Sequence, residues 1–318
     1  MHRKTDGRKH HLVQGLGLLA LAMPAAPGHA AAQQQADSAW SAVVEAMGRT
    51  GTAQPDGVYR FSLPRSDLKV RIGGANGVAV RPALALGSWI AFRRVGDSAM
   101  AWGDLVLTER ELGPVTTKLQ QEKVNQTAVH HHVLHESPRV LYMHIHATGD
   151  PVRIATTVRS ALELTGTPAA TTPAAARASV PTGFALDTAQ LALILGHRGR
   201  LNGGVYQVSV ARAETIRDAG REVPPAMGVA TALNFQPTNG RRAAITGDFV
   251  LTADEVNPVI EALRTANIEV TALHNHLLHD EPRLFFMHFW AEGDALALGR
   301  GLRTALDLTN SRKPDARP

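Results

Sequence analysis

Histidine ligates metals more often than any other side chain and titrates nearest neutral pH. Ten of the eleven histidines after residue 31 lie in two short runs. HHHVLHESPRVLYMHIH covers His130 to His146, and HNHLLHDEPRLFFMHFW covers His274 to Trp290. A shift of 144 residues superimposes the runs without a gap, so His130, His132, His135 and His144 meet His274, His276, His279 and His288. With His146, these nine form the candidate metal ligands. Imidazole suits Zn2+, Cu2+ and Ni2+. An acid follows each loop histidine, Glu136 in one run and Asp280 in the other. Either can be a fourth ligand, a partner that orients a ring, or a general base acting on metal-bound water. These two are the candidate catalytic residues.

Such ligands need elements that aim them together. Residues two apart on a strand share a face. His130 and His132 therefore face one way, as do His144 with His146 and His274 with His276, while His135 and His279 fall in the loop between strands. A hairpin with His-x-His on one strand and His on its partner converges three imidazoles. Met143 and Met287 neighbour a histidine on the same strand, so they point to the opposite face and read as core. Trp290 stands where the first run has His146, so the two sites are unequal and the first is expected to hold more nitrogen donors. His131 and His197 have no matched histidine and read as ordinary residues.

The repeat extends past the histidines. GDLVLTERELGPV from Gly103 answers GDFVLTADEVNPV from Gly247, and RSALELT from Arg159 answers RTALDLT from Arg303. DGVYRFSLPR at Asp56 answers GGVYQVSVAR at Gly203. Thr108 with Glu111, and Thr252 with Glu255, match the Ser/Thr-x-x-Glu capping box. Each opens a helix, to about Gln121 and Ala266. Two strands follow, Ile268 to His276 and Arg283 to Ala291 in the second copy, separated at Glu281-Pro282. Asp294 can then cap a final helix through Leu308. The fold class is α+β: two homologous β-α-β-β-α-type units with mainly antiparallel sheets and helices on one face, related by a pseudo-two-fold axis. That symmetry predicts that the histidine faces meet in one shared site. Asp104 and Asp248, just before the capped helices, read as turn residues in preference to the alternative, an approach to the site from the neighbouring strand. Arg139 and Arg283 read as members of structural ion pairs.

The expected organisation is a signal peptide over 1–31, repeat unit 1 over 36–166, a Pro/Ala/Thr-rich linker over 167–182, repeat unit 2 over 183–310 and a disordered tail over 311–318. The leader is basic, then apolar from Leu12 to Met23, then small around Ala30. It predicts export to the periplasm or the extracellular space. Its apolar run is too short to span a bilayer, and no second run approaches that length. Arg3, Lys4, Arg8 and Lys9 against Asp6 account for three of the five net positive charges. The remainder lacks a dense basic stripe, which argues against nucleic acid as a partner. The absence of cysteine excludes disulfides, thiolate ligands and a lipid-modified N-terminal cysteine. No phosphate loop, Gly-x-Ser-x-Gly elbow or His-Glu-x-x-His helix is present, and GGANG at Gly73 lacks the strand–helix context of a dinucleotide site.

VYRFSLPRSDLKV, GSWIAF, GDLVLTERE, GDFVLTADEVNPV and TALHNHLLHDEPRLFFMHF together resemble the bacterial LppY/LpqO family, a domain of unknown function numbered 1259. The resemblance covers both halves and implies no established activity. It implies a lipoprotein in many members, from which this chain departs by having no cysteine. Three functional readings stay open: binding of a divalent metal or small ligand, metal-dependent hydrolysis with Glu136 or Asp280 as base, and a structural or pH-responsive role in the cell envelope. Oligomeric state is open too.

Overall fold

In this computed structural model, residue 2, residues 27–169 and residues 185–313 are described. Most of the expected leader and linker and the last part of the tail therefore lie outside the described residues. Helices α1 (Pro27–Ala39) and α2 (Ser41–Met47) lead into the first repeat. Its strands are β1 (Thr52–Ala53), β2 (Val58–Pro64), β3 (Arg71–Ile72), β4 (Val78–Ala79), β5 (Gly87–Val95), β6 (Ser98–Thr108), β7 (Asn125–His130), β8 (Glu136–Ser137) and β9 (Val140–Gly149). Its helices are α3 (Pro82–Ala85), α4 (Glu109–Gln121) and α5 (Pro151–Leu162). The second repeat has α6 (Thr188–Leu195), β10 (Arg200–Asn202), β11 (Val205–Ala211), β12 (Arg217–Asp218), β13 (Arg221–Glu222), β14 (Ala230–Pro237) and β15 (Arg242–Leu251). It closes with α7 (Ala253–Thr265), β16 (Glu269–His274), β17 (Asp280–Glu281), β18 (Phe285–Asp294) and α8 (Ala295–Leu306).

Each repeat builds a six-stranded sheet, ordered β1-β2-β5-β6-β9-β7 and β10-β11-β14-β15-β18-β16, with antiparallel pairing between all neighbours. The expected hairpin partners, β7 with β9 and β16 with β18, are paired. Both capping boxes form: the backbone amides of Thr108 and Thr252 donate to Glu111 and Glu255 at 2.8 Å. The Asp294 carboxylate caps α8 by accepting from the Ala297 amide at 3.0 Å.

Strand parity sorts the side chains into layers. On β9, Met143, Ile145 and Ala147 face the helices and join Leu105, Leu107, Val115, Leu119, Ile154 and Val158 in one core. On β18, Met287, Phe289 and Ala291 do the same with Phe249, Leu251, Val259 and Leu302. The opposite face carries Tyr142, His144 and His146 in one sheet and Phe286, His288 and Trp290 in the other. These two faces pack against each other, giving a helix–sheet–sheet–helix sandwich.

The sheets are joined reciprocally. Val58, Ala91, Met100 and Trp102 of the first sheet lie under Ile216, Val223, Met227 and Val229 from the arm of the second repeat, residues 212–229 between β11 and β14. Val205 and Ala244 of the second sheet lie under Val70, Ile72, Val80 and Leu84 from the arm of the first, residues 65–86 between β2 and β5. Matched residues on β2 and β11 repeat the exchange: Arg60 donates to the Ala226 carbonyl and Gln207 to that of Ala83, both at 2.8 Å. The edge strands β7 and β16 are clasped in the same way. His131 Nε2 donates to the Thr271 carbonyl at 2.9 Å, and Asn275 donates to the Thr127 carbonyl at 2.9 Å. Each apolar side chain so buried stabilises by about 1.5–3 kcal/mol, so the arms hold the two polar sheet faces together.

At the C-terminal end, the Arg312 amide donates to the Ala211 carbonyl at 2.8 Å and Ser311 bridges Arg212. The first residues of the expected tail thus pair with the second sheet.

Candidate metal centre

Six imidazoles meet where the pseudo-two-fold axis passes between the sheets. His130 and His274 end the edge strands, His132 and His276 lie two residues further on, and His144 and His288 sit inside β9 and β18. The His130 and His274 rings stack with centroids 3.7 Å apart. His132 and His288 lie 3.8 Å apart, and so do His144 and His276. Each close contact joins one repeat to the other. Tyr142 stacks on His132 at 3.3 Å and Phe286 on His276 at 3.4 Å, which fixes the outer faces of those rings.

The backbone sets the tautomers. A carbonyl only accepts, so a ring nitrogen bonded to one carries the proton. His288 Nδ1 bonds the Gly247 carbonyl at 2.7 Å and His276 Nδ1 the Gly228 carbonyl at 3.1 Å. The His144 ring bonds the backbone of Gly103. Gly103 and Gly247 are matched glycines at a tight crossing: a Cβ would lie 2.7 Å from the Trp89 carbonyl oxygen at the first and 1.8 Å from that of Ala232 at the second. The bonded rings therefore present a lone pair at Nε2, the arrangement found when the second nitrogen of a ligating histidine is anchored by a carbonyl.

Among the described residues, nothing satisfies these lone pairs. Nε2 of His132, His144, His276 and His288, and both nitrogens of His130 and His274, are buried without a hydrogen-bond partner. An unsatisfied buried polar atom costs about 1–3 kcal/mol. Leaving all of these bare would cost on the order of 10 kcal/mol, comparable to the whole stability of a domain. Three sets, His130–His132–His288, His130–His144–His274 and His274–His276–His288, each bring one nitrogen per residue within 4.8 Å of one another, close enough to hold a metal ion.

Burial disfavours the charged form of five of these imidazoles. It holds His130, His132, His144 and His274 below the ordinary histidine range, with neighbouring imidazoles adding to the effect. His288 is lowered chiefly by burial. Two carboxylates join from the neighbouring strands. Asp104 Oδ2 lies 3.6 Å from His132 Nε2, and Asp248 Oδ2 lies 3.2 Å from His276 Nε2. Burial pushes Asp104 up to about 7, with Asp248 adding to the rise and His276 and Arg60 opposing it.

Several candidates from the sequence lie elsewhere. His135 and His279 are exposed, and His135 adopts φ +59° where the chain leaves the sheet, so strand parity no longer aims it. His146 is half-buried and packs on Trp102 at 4.8 Å, among Asp218, Arg221 and His279 of the second repeat. Glu136 belongs to a small sheet, opposite Ile72. Asp280 uses both oxygens locally, accepting from the Leu284 amide at 2.6 Å and from Arg283 at 2.8 Å. Arg283 thus makes a structural ion pair with Asp280, while Arg139 is exposed.

Asp104 and Asp248 correct the turn reading. They stand inside β6 and β15, directly opposite His144 and His288. The alternative, an approach to the site from the neighbouring strand, is the one the structure supports, and its signal is a carboxylate inside an otherwise apolar strand that recurs at the same offset as the histidines. The stacking partners Tyr142 and Phe286 were missed.

Both repeats match the sequence model of a family described as a domain of unknown function (DUF1259), over residues 41–164 and 189–308. The chain belongs to this family. It therefore carries the DUF1259 domain twice, and the six imidazoles come three from each copy. No curated protein matches the chain. Among solved structures, a trimeric bacterial microcompartment shell protein, PduB, is 12% identical, with 81% of this chain and 90% of that chain covered and a TM-score of 0.21. EtuB from Clostridium kluyveri is 10% identical, with 81% and 89% covered and a TM-score of 0.20. Overlap at these TM-scores carries no structural inference for this DUF1259 protein.

Proposed function

We propose that this protein binds a divalent transition metal between its two DUF1259 domains. The observation that carries this reading is the convergence of buried, unpartnered imidazole nitrogens from both repeats. Donors of this type, without sulfur, suit Zn2+, Cu2+ and Ni2+. Three sets of imidazole nitrogens lying within 4.8 Å of one another match the scale of a single ion, which favours a metal over an organic ligand. Binding is favoured over hydrolysis. A catalytic metal needs an open coordination position, and Asp280, one of the two candidate bases, is committed to Leu284 and Arg283.

Export is part of the same proposal, supported by the basic, apolar and small-residue order of residues 1–31. So is membership of the LppY/LpqO group, supported by the motifs around both histidine runs. Metal analysis of untagged full-length protein tests the central reading. We expect at least one equivalent of metal to survive gel filtration in the wild type and to be lost in the His130→Ala/His274→Ala variant. Less than about 0.1 equivalent after exposure to Zn2+, Cu2+ or Ni2+, with no change in unfolding temperature, would overturn it.

A further inference from the structure

The flanks of the histidine cluster are closed in two different ways. His144, His276 and His288 are buried inside the sandwich. The chain just after His132 and His276 is drawn under the arms, Val133 into the apolar cluster of the first and Leu277 into that of the second. The side formed by the edge strands β7 and β16 is more open. His130 and His274 at their ends are half-buried. Val129 and Leu273, one position earlier, are 50% and 47% exposed.

Both edge strands break register at the same matched position. Gln126 and Ala128 pair with Ile145 and His144 on β9, while Thr127 has no partner there. Val270 and Ala272 pair with Phe289 and His288 on β18, while Thr271 has none. A bulge takes one residue out of the ladder and re-aims the local chain. Here the freed carbonyls turn to the opposite repeat. The Thr271 carbonyl accepts from His131 Nε2 and the Thr127 carbonyl from Asn275 Nδ2, both at 2.9 Å. Thr271 Oγ1 also donates to the His132 carbonyl at 2.5 Å. The arms seal their flanks by apolar burial, whereas this side is latched by hydrogen bonds through two bulges. Segments held by hydrogen bonds at a partly exposed edge open more readily than those held by a buried apolar core.

We propose that β7 and β16 are the gate through which a divalent metal ion enters and leaves the cluster, with the His131–Thr271 and Asn275–Thr127 hydrogen bonds as its latch. This inference rests on the metal reading above. Every set of nitrogens close enough to hold an ion includes His130, His274 or both. The strands that part to admit the ion therefore also carry one of its ligands. A bound ion holds the gate shut, and its exchange waits on the opening of the latch.

Stopped-flow uptake of Zn2+, and its release to excess EDTA, test the gate in untagged full-length protein. The His131→Ala/Asn275→Ala variant loses both latch donors and keeps the six clustered imidazoles. A hydrogen bond of this kind is worth roughly 2–10-fold in an opening equilibrium, so uptake and release should both quicken by roughly 5–100-fold. The dissociation constant should not change, because the latch is present with and without the ion. His131→Asn alone, which gives the first repeat the donor that the second uses, should exchange like the wild type. Residues that merely shaped the ligands would speed release alone and weaken binding in proportion. In metal-free double variant, amide hydrogen exchange should rise in β7 and β16 but not in β6 and β15, and Zn2+ should suppress the rise. Exchange of Zn2+ within about twofold of the wild type, faster release with proportionally weaker binding, or unchanged amide exchange in β7 and β16 would overturn the gate and leave metal binding intact. Failure of the wild type to bind Zn2+ would overturn the metal reading, and the gate with it.

Discussion

The two repeats agree most closely where they touch each other. His130/His274, His132/His276, His144/His288 and Asp104/Asp248 are identical pairs. So are Gly103 and Gly247, whose backbones anchor the third ring of each set. One step outward the copies differ. Tyr142 donates to the Ala85 carbonyl at 2.8 Å, whereas its counterpart Phe286 joins an apolar cluster. His146 rests on Trp102, while Trp290 packs against the arm of the first repeat. His131 and Asn275 differ in type but make the same clasp. The chemistry thus belongs to the shared centre, and the surroundings were free to diverge wherever another side chain filled the same space or made the same bond.

Acid gives the largest way to probe this likeness. Five imidazoles, His130, His132, His144, His274 and His288, are held neutral chiefly by burial. The unfolded chain binds protons near pH 6.5 and the native protein does not, so stability is present above that pH and falls as pH drops through it. Each such group contributes up to about 1.4 kcal/mol per pH unit. Asp104 acts with the opposite sign between about pH 4 and 7, because its raised value makes the native state bind the proton first. Urea unfolding of metal-free protein between pH 7.5 and 5.5 should show a loss of several kcal/mol. His144→Ala and His288→Ala should flatten the slope alike, and unequal flattening would break the equivalence of the copies.

The buried arginines come next. Arg65 binds Asp67, Glu111 and the Val106 carbonyl; Arg212 binds Glu214, Glu255 and the Val250 carbonyl. Both side chains are 1% exposed. Removing one partner of such a buried network costs about 3–5 kcal/mol. Arg65→Met and Arg212→Met should each lower the unfolding free energy measured in urea by that amount, and tolerance of one alone would show that the halves carry unequal loads.

Much of this architecture was legible because it is periodic or local. The capping boxes, the Asp294 cap and the core placement of Met143 and Met287 follow from residues a few positions apart. Asp104 was harder, since its meaning depends on a partner strand some forty residues away that puts His144 opposite it. His135 and His279 misled because they lie in the loop between strands, where no alternation aims a side chain, and the backbone at His135 is left-handed. The shared centre followed from symmetry alone. The clasps and reciprocal arms that hold it together join residues more than a hundred positions apart and have no local signature.

Smaller effects sharpen the comparison further. Gly247→Ala should destabilise more than Gly103→Ala, within about 1–3 kcal/mol, because its added Cβ meets backbone at 1.8 Å against 2.7 Å. Thermal unfolding of both variants checks the order. His131→Ala and Asn275→Ala should each cost about 0.5–1.5 kcal/mol. Their effects should be similar if the clasp is reciprocal, and a loss in only one variant would localise the closure to one edge strand.

The most direct measurement is anomalous diffraction at the zinc edge from crystals of untagged protein loaded with Zn2+. The metal reading predicts anomalous density between the sheets, about 2.0–2.1 Å from imidazole nitrogens of His130, His274 and their neighbours. Density confined to the exposed His135 or His279, or a centre filled only by water and protonated imidazoles, would contradict it.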